Sequence, residues 1–206
     1  HKKSIQSDTF KFPGHTDYLN EQLEGDSLMF MVTDSLKVAL MSDHIPLKEV
    51  VGYLNEEKIN AKIASLEKSL SQDFGIQRPK IAVLGINPHT GDNGVIGDED
   101  DTLLTPVIKK WNEKGSLVFG PYAADGFFGN QRYTKFDGVL ATYHDQGLIP
   151  IKYLGIAEGV NVTLGLPFVR TSPDHGTAFD ISGQNKSDES SMVYAYQQAQ
   201  RLLGRG

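Results

Sequence analysis

The 206-residue chain contains no cysteine. Disulfides, thiolate nucleophiles and cysteine-bound zinc are therefore excluded, and any metal must be held by nitrogen and oxygen ligands. A surplus of basic charge is also missing: net charge is −6, and Lys and Arg are scattered with no run longer than a pair. Binding nucleic acid by neutralising phosphates needs the opposite pattern. No apolar stretch reaches the roughly 20 residues of a membrane span. The richest run, residues 27–41, is broken by Asp34 and Lys37. No secretory signal pattern is visible at the start, which reads His1-Lys2-Lys3. These absences lead us to expect a cytoplasmic protein whose partners include neither nucleic acid nor membrane.

Ordinary globular content remains, at 39% hydrophobic and 22% charged. Strand and helix signals alternate along it. Residues 27–33 and 37–41 read as two strands, with Thr33-Asp34-Ser35 supplying the turn of a hairpin. Pro46 suits the first turn of a short helix to about residue 54. The strongest helix spans 56–74. Asn55 stands as its cap, Ile59, Ile63, Leu66, Leu70 and Phe74 form one apolar stripe, and Gly75 terminates it. Further strands are expected at 80–86, 117–119, 137–142 and 160–166, with helices at about 102–113 and 190–203. This order predicts an α/β fold with a sheet at least partly parallel.

Ligands of such sheets collect beyond the carboxyl ends of strands. Three polar segments follow predicted strands: residues 87–94, 143–147 and 167–176. We expect them to be loops that converge on one crevice. Each carries a histidine, and histidine serves both as metal ligand and as proton carrier near neutral pH. His15, His89, His144 and His175 are candidates; His1 and His44 are read as ordinary terminal and loop residues. Their spacing matches no local metal motif. Gly91, Gly94 and Gly97 allow close backbone approach to an anion, but no Walker lysine follows. Lys152 and Arg170 are isolated cations in apolar contexts, which implies an anionic partner: a substrate phosphate or an internal carboxylate.

The segments Gly14-His15-Thr16-Asp17-Tyr18, Asp43-His44-Ile45-Pro46, Asn87-Pro88-His89, Tyr143-His144-Asp145-Gln146-Gly147, the block 159–170 and Asp174-His175-Gly176-Thr177-Ala178 together resemble one family. It is the 4-hydroxythreonine-4-phosphate dehydrogenase family of pyridoxal phosphate biosynthesis. The resemblance implies an isocitrate/isopropylmalate dehydrogenase-like fold, a mixed central sheet flanked by helices, and a homodimer with active sites shared between subunits. It implies His15, His89 and His144 as ligands of a divalent metal (Zn, Mg or Co), and Lys152, Asn161 and Arg170 as substrate-binding residues. Lys152 and His144 are the expected catalytic residues. NAD or NADP is expected near Asn87, Gly91, Gly94, Asp174 and His175. Asp145 and Asp174 are candidates to orient histidines or, equally, to serve as turn residues. Where relatives often carry Glu-Gly-Gly, this chain has Asn93-Gly94, and Asp125-Gly126 replaces a usual Asp-Thr.

The family's N-terminal part, with a substrate-binding His-Thr pair, is absent here. The expectation is a truncated chain: about 1–165 as the central metal-binding and dimerisation domain, and 166–206 returning toward the nucleotide side. The implied activity is NAD(P)-dependent oxidation and decarboxylation of a small phosphorylated hydroxy amino acid, 4-phosphohydroxy-L-threonine. The alternatives are a phosphorylated four-carbon sugar acid (threonate or erythronate phosphate) as substrate, or an inactive metal-binding fragment.

Overall fold

The computed structural model describes Ser7, Phe12 and residues 15–22, 27–155, 159–174 and 178–204; of residues 15–17 and 20 it describes the backbone alone. The elements run α1 (His15–Gln22), β1 (Leu28–Val32), β2 (Lys37–Leu40), α2 (Val50–Tyr53), α3 (Glu56–Gln72), β3 (Lys80–Leu84), α4 (Thr105–Glu113), β4 (Leu117–Tyr122), α5 (Ala124–Gly129), β5 (Gly138–Ala141), α6 (His144–Gly155), β6 (Val160–Leu164), β7 (Arg170–Pro173) and α7 (Ser190–Leu202). A 3-10 turn covers Leu47–Glu49, another Pro88–Gly91, and a π turn Asp100–Leu104.

Seven strands form one sheet in the order β4-β3-β5-β2-β1-β6-β7. β4, β3, β5 and β2 are parallel, β1 runs antiparallel to β2 and β6, and β7 runs antiparallel to β6. The sheet is therefore mixed. The expected hairpin forms, with Phe30 opposite Ala39, and its turn is closed by Thr33 N–H donating to the Leu36 carbonyl at 2.9 Å.

Side chains alternate between the two faces of a strand, and each face has its own helices. On one face Leu28, Phe30, Val32, Ile81, Val83 and Leu140 pack with the stripe of α3 and with Ala195 of α7. On the other, Met31, Val38, Leu40, Ala82, Leu84 and Val139 pack with Leu148 and Ile151 of α6 and Phe127 of α5. In α3 the Asn55 side chain accepts from Lys58 N–H at 2.8 Å, and Ile59, Ile63, Leu66 and Leu70 are fully buried. Burying each of these side chains contributes about 1.5–3 kcal/mol. Gly75 has φ +70°, the left-handed geometry that closes the helix.

Several sequence expectations need correction. Residues 143–147 are not a loop, because His144 opens α6. Residues 167–176 are not one continuous loop, since Arg170–Pro173 pair with β6 as an edge strand. The helix expected from 102 is preceded by the π turn at Asp100–Leu104, and β4 extends past 119 to Tyr122. Helix α5, with Gly126 and Gly129 inside or ending it, had no expectation at all.

Candidate functional site

β3 and β5 are neighbours, and their carboxyl ends carry the His89 and His144 segments. Beyond β3 the backbone enters a left-handed turn. His89, Thr90, Gly91, Asp92, Asn93 and Gly94 all have positive φ, between 45° and 86°. Each non-glycine residue held there costs about 1–2 kcal/mol, so the surroundings must enforce the shape. Asp100, fully buried, accepts from Ile86 N–H at 2.8 Å and Asn87 N–H at 2.9 Å. The Asn87 side chain donates to Glu99 Oε2 at 2.7 Å. Hydrogen bonds from its own backbone N–H and then from Asn87 hold the Glu99 carboxyl below its ordinary pKa. A side chain at Gly91 would run into the Gly97 carbonyl, so that glycine is required by the turn itself. His89 stands exposed on it.

His144 is the first residue of α6, and its Nδ1 lies 2.7 Å from Asp145 Oδ1. That contact brings the Asp145 carboxylate within hydrogen-bond reach of the His144 ring. It leaves Nε2 as the ring nitrogen that Asp145 does not engage. The ring of His44, which follows the adjacent β2, lies 5.8 Å from the His144 ring between centroids. Both line a cleft of about 400 Å³ with Ser42, Asp43, Tyr143 and Asp145. Sequence reasoning treated His44 as an ordinary loop residue. The Asp43-His44-Ile45-Pro46 segment in the family pattern was the available signal.

The substrate-site candidates occupy another part of the molecule. Lys152 lies eight positions after His144 on α6, about 12 Å along the axis at 1.5 Å per residue. Its ammonium sits 3.3 Å from Asp174 Oδ2, just beyond β7. Asp174 is thus an internal partner for Lys152. Asn161, on β6 opposite Ser172 of β7, buries its Oδ1 with no hydrogen-bond partner among the described residues. Arg170 opens β7 and donates from Nη1 to Thr163 Oγ1 at 2.7 Å. Among the described residues no carboxylate pairs with it. Burial pushes the half-buried guanidinium below its ordinary pKa. The two isolated cations of the sequence therefore differ: among the described residues Lys152 has a carboxylate partner and Arg170 only a hydroxyl.

His15 begins α1, but its side chain lies outside the described residues, as does all of His175. Among the described residues no three His, Asp or Glu side chains come together as a metal cage. The local chemistry nevertheless fits a divalent ion. The donors are imidazole nitrogens, and His144 has the carboxylate-to-imidazole contact that orients ligating histidines. No described helix is long and apolar enough to cross a membrane.

The sequence pattern of the family described as "Pyridoxal phosphate biosynthetic protein PdxA" matches residues 1–199. The chain belongs to this family. Among its PdxA relatives, 4-hydroxythreonine-4-phosphate dehydrogenase from Bacteroides thetaiotaomicron is 50% identical over 196 residues, covering 94% of this chain and 54% of the relative. The enzyme of the same name from Sulfurihydrogenibium sp. is 46% identical, covering 96% of this chain and 61% of its own length. The crystal structure of the 4-hydroxythreonine-4-phosphate dehydrogenase from Klebsiella pneumoniae superposes with a TM-score of 0.84 at 39% identity, covering 98% of this chain and 62% of that one. The chain thus spans between half and two thirds of the length of these PdxA proteins. Its mixed sheet is the family's isocitrate/isopropylmalate dehydrogenase-like fold.

Proposed function

We propose that this chain carries the metal-binding and substrate-orienting part of an NAD(P)-dependent dehydrogenase acting on 4-phosphohydroxy-L-threonine. In the balanced reaction, hydride leaves the hydroxyl-bearing carbon for the nicotinamide and the hydroxyl proton is released. The resulting β-keto acid loses carbon dioxide, and the carbon that carried the carboxylate takes up one proton, to give 3-amino-2-oxopropyl phosphate. The observation that carries the reading is Arg170. A half-buried guanidinium bonded only to a hydroxyl among the described residues suits an anionic substrate group, and dehydrogenases named for a phosphorylated substrate are its relatives.

His15, His89 and His144 would hold a divalent ion, which would supply Lewis-acid polarisation of the reacting oxygen, and Asn87, Gly91, Gly94, Asp174 and His175 would hold NAD or NADP as the hydride acceptor. The protein's own groups do the rest. Arg170 and Asn161 hold polar ends of the substrate and orient the reacting carbon. Asp145 fixes the tautomer and direction of His144. Lys152 keeps a positive charge near the substrate region, balanced by Asp174 until an anion arrives.

His144 and Lys152 stand at opposite ends of α6, which favours a site completed by a second copy of the chain. In the assembly we infer a cytoplasmic homodimer, with residues 1–165 as its central part and 166–206 returning toward the nucleotide side. The test is nicotinamide reduction with 4-phosphohydroxy-L-threonine, assayed beside threonate and erythronate phosphates with each metal. Turnover of the amino acid above the sugar acids supports the reading. Preference for a sugar acid, or metal binding without any turnover, replaces it with one of the two alternatives.

A further inference from the structure

The peptide joining Gly85 to Ile86 is held from both sides. Its carbonyl accepts from Gln146 Nε2 at 2.7 Å and from Thr142 Oγ1 at 3.2 Å. Its N–H donates to Asp100 Oδ1 at 2.8 Å, and the next N–H, of Asn87, donates to the other oxygen of the same carboxylate at 2.9 Å. Gln146 is committed on its other side too, because its Oε1 accepts from Thr142 N–H at 2.8 Å. A Cβ at Gly85 would lie 2.8 Å from Asp100 Oδ1 and 2.9 Å from a Thr90 methyl, so the glycine is what lets the carboxylate in.

Asp100 is fully buried and has no ion-pair partner among the described residues. A lone buried carboxylate is costly and is tolerated only when its oxygens are hydrogen-bonded. An apolar side chain in the same space would leave the Ile86 and Asn87 N–H groups without an acceptor, so the carboxylate shapes this stretch of backbone. Both groups that Asp100 satisfies lie at the exit of β3, immediately before the left-handed His89 turn. Gln146 comes from α6, two residues after His144. One clamp therefore joins the two histidine-bearing segments of one chain, whichever subunit completes each site.

We propose that Asp100 and Gln146 are positioning residues that lock the Gly85–Ile86 peptide and so fix the His89 turn relative to the start of α6. They touch neither substrate nor metal and act through the backbone. This role rests on the reading of His89 and His144 as ligands, and the test separates the two. Asp100→Asn turns one acceptor into a donor facing an N–H. Gln146→Glu sets an anionic oxygen against the Gly85 carbonyl and keeps the shape.

In the metal-free protein, amide exchange at Ile86 and Asn87 should quicken, and the imidazole resonances of both His89 and His144 should move, in each variant. Cobalt titration should then show dissociation constants raised roughly tenfold or more, the usual loss when support behind a ligand is removed. A lower melting temperature with unmoved imidazole resonances and unchanged cobalt affinity overturns the proposal and leaves Asp100 as scaffold only. Should Asp100→Asn fail to fold, Gln146→Glu at its half-buried site decides alone. Should the wild type take up no cobalt, the metal reading fails by itself, and the metal-free resonances still decide the clamp.

Discussion

Nδ1 of His144 and Oδ1 of Asp145 lie 2.7 Å apart, on consecutive residues at the first turn of α6. The contact turns Nδ1 toward the carboxylate and leaves the second ring nitrogen unengaged by Asp145. Replacing Asp145 with Ala removes the acceptor and leaves the imidazole in place. Divalent-metal affinity, measured by calorimetry, should fall about tenfold to a hundredfold, as for other carboxylates that support ligating histidines. Unchanged affinity would remove Asp145 from the site.

Arg170 offers a second handle. With Thr163 Oγ1 as its hydrogen-bond partner in this fold, Arg170→Met deprives an anionic substrate group of its guanidinium. KM for the phosphorylated substrate should rise about tenfold to a hundredfold, the equivalent of one charged hydrogen bond. An unmoved KM would take Arg170 out of substrate binding.

Glu99 gives the pH dependence its sign. Its carboxyl is held below the ordinary value by its own N–H and by Asn87, so the folded state favours the charged form. That stabilisation is present above the unfolded pKa, about 4.3, and is lost as pH falls through the lower folded value. Thermal unfolding across this acid range should be less pH-dependent for Glu99→Gln than for the wild type. Equal slopes would show that the Asn87 tie carries no stability.

The core makes a simpler prediction. Leu66 is fully buried in the stripe of α3 against the sheet. Leu66→Ala should cost about 2–5 kcal/mol in denaturant unfolding with an unchanged m-value.

That helix also shows what local sequence signals can reveal. Asn55, the stripe Ile59, Ile63, Leu66 and Leu70, and Gly75 each act within a few residues and appear where the periodicity puts them, although the helix ends at Gln72 and leaves Phe74 beyond it. β7 had no such signal: Arg170, Thr171, Ser172 and Pro173 are all half-buried, show no alternation, and become a strand only because β6 offers an edge. Helix α6 was hidden by Gly147 and Pro150, which read as loop residues. Packed against the sheet, Gly147 proves necessary, because a Cβ there would strike Leu40 and Val38. The cleft was half legible. His144 and its neighbour Asp145 are adjacent in sequence, whereas His44 reaches the same cleft only because β2 and β5 pair in parallel.

Sharing of the site between subunits can be tested by complementation. Inactive His89→Ala and His144→Ala proteins, mixed and reassembled, should regain about a quarter of wild-type turnover if the two ligands come from different subunits, since half the dimers then carry one intact site. No recovery would place both ligands in one subunit.

The most direct test of the whole account is cobalt titration of the intact protein together with its His15→Ala, His89→Ala and His144→Ala variants, following both the metal's absorption and turnover on one preparation. The account predicts one metal per site in the wild type, with binding and turnover lost together in each variant. Variants that still bind cobalt with wild-type affinity and still turn over would contradict it.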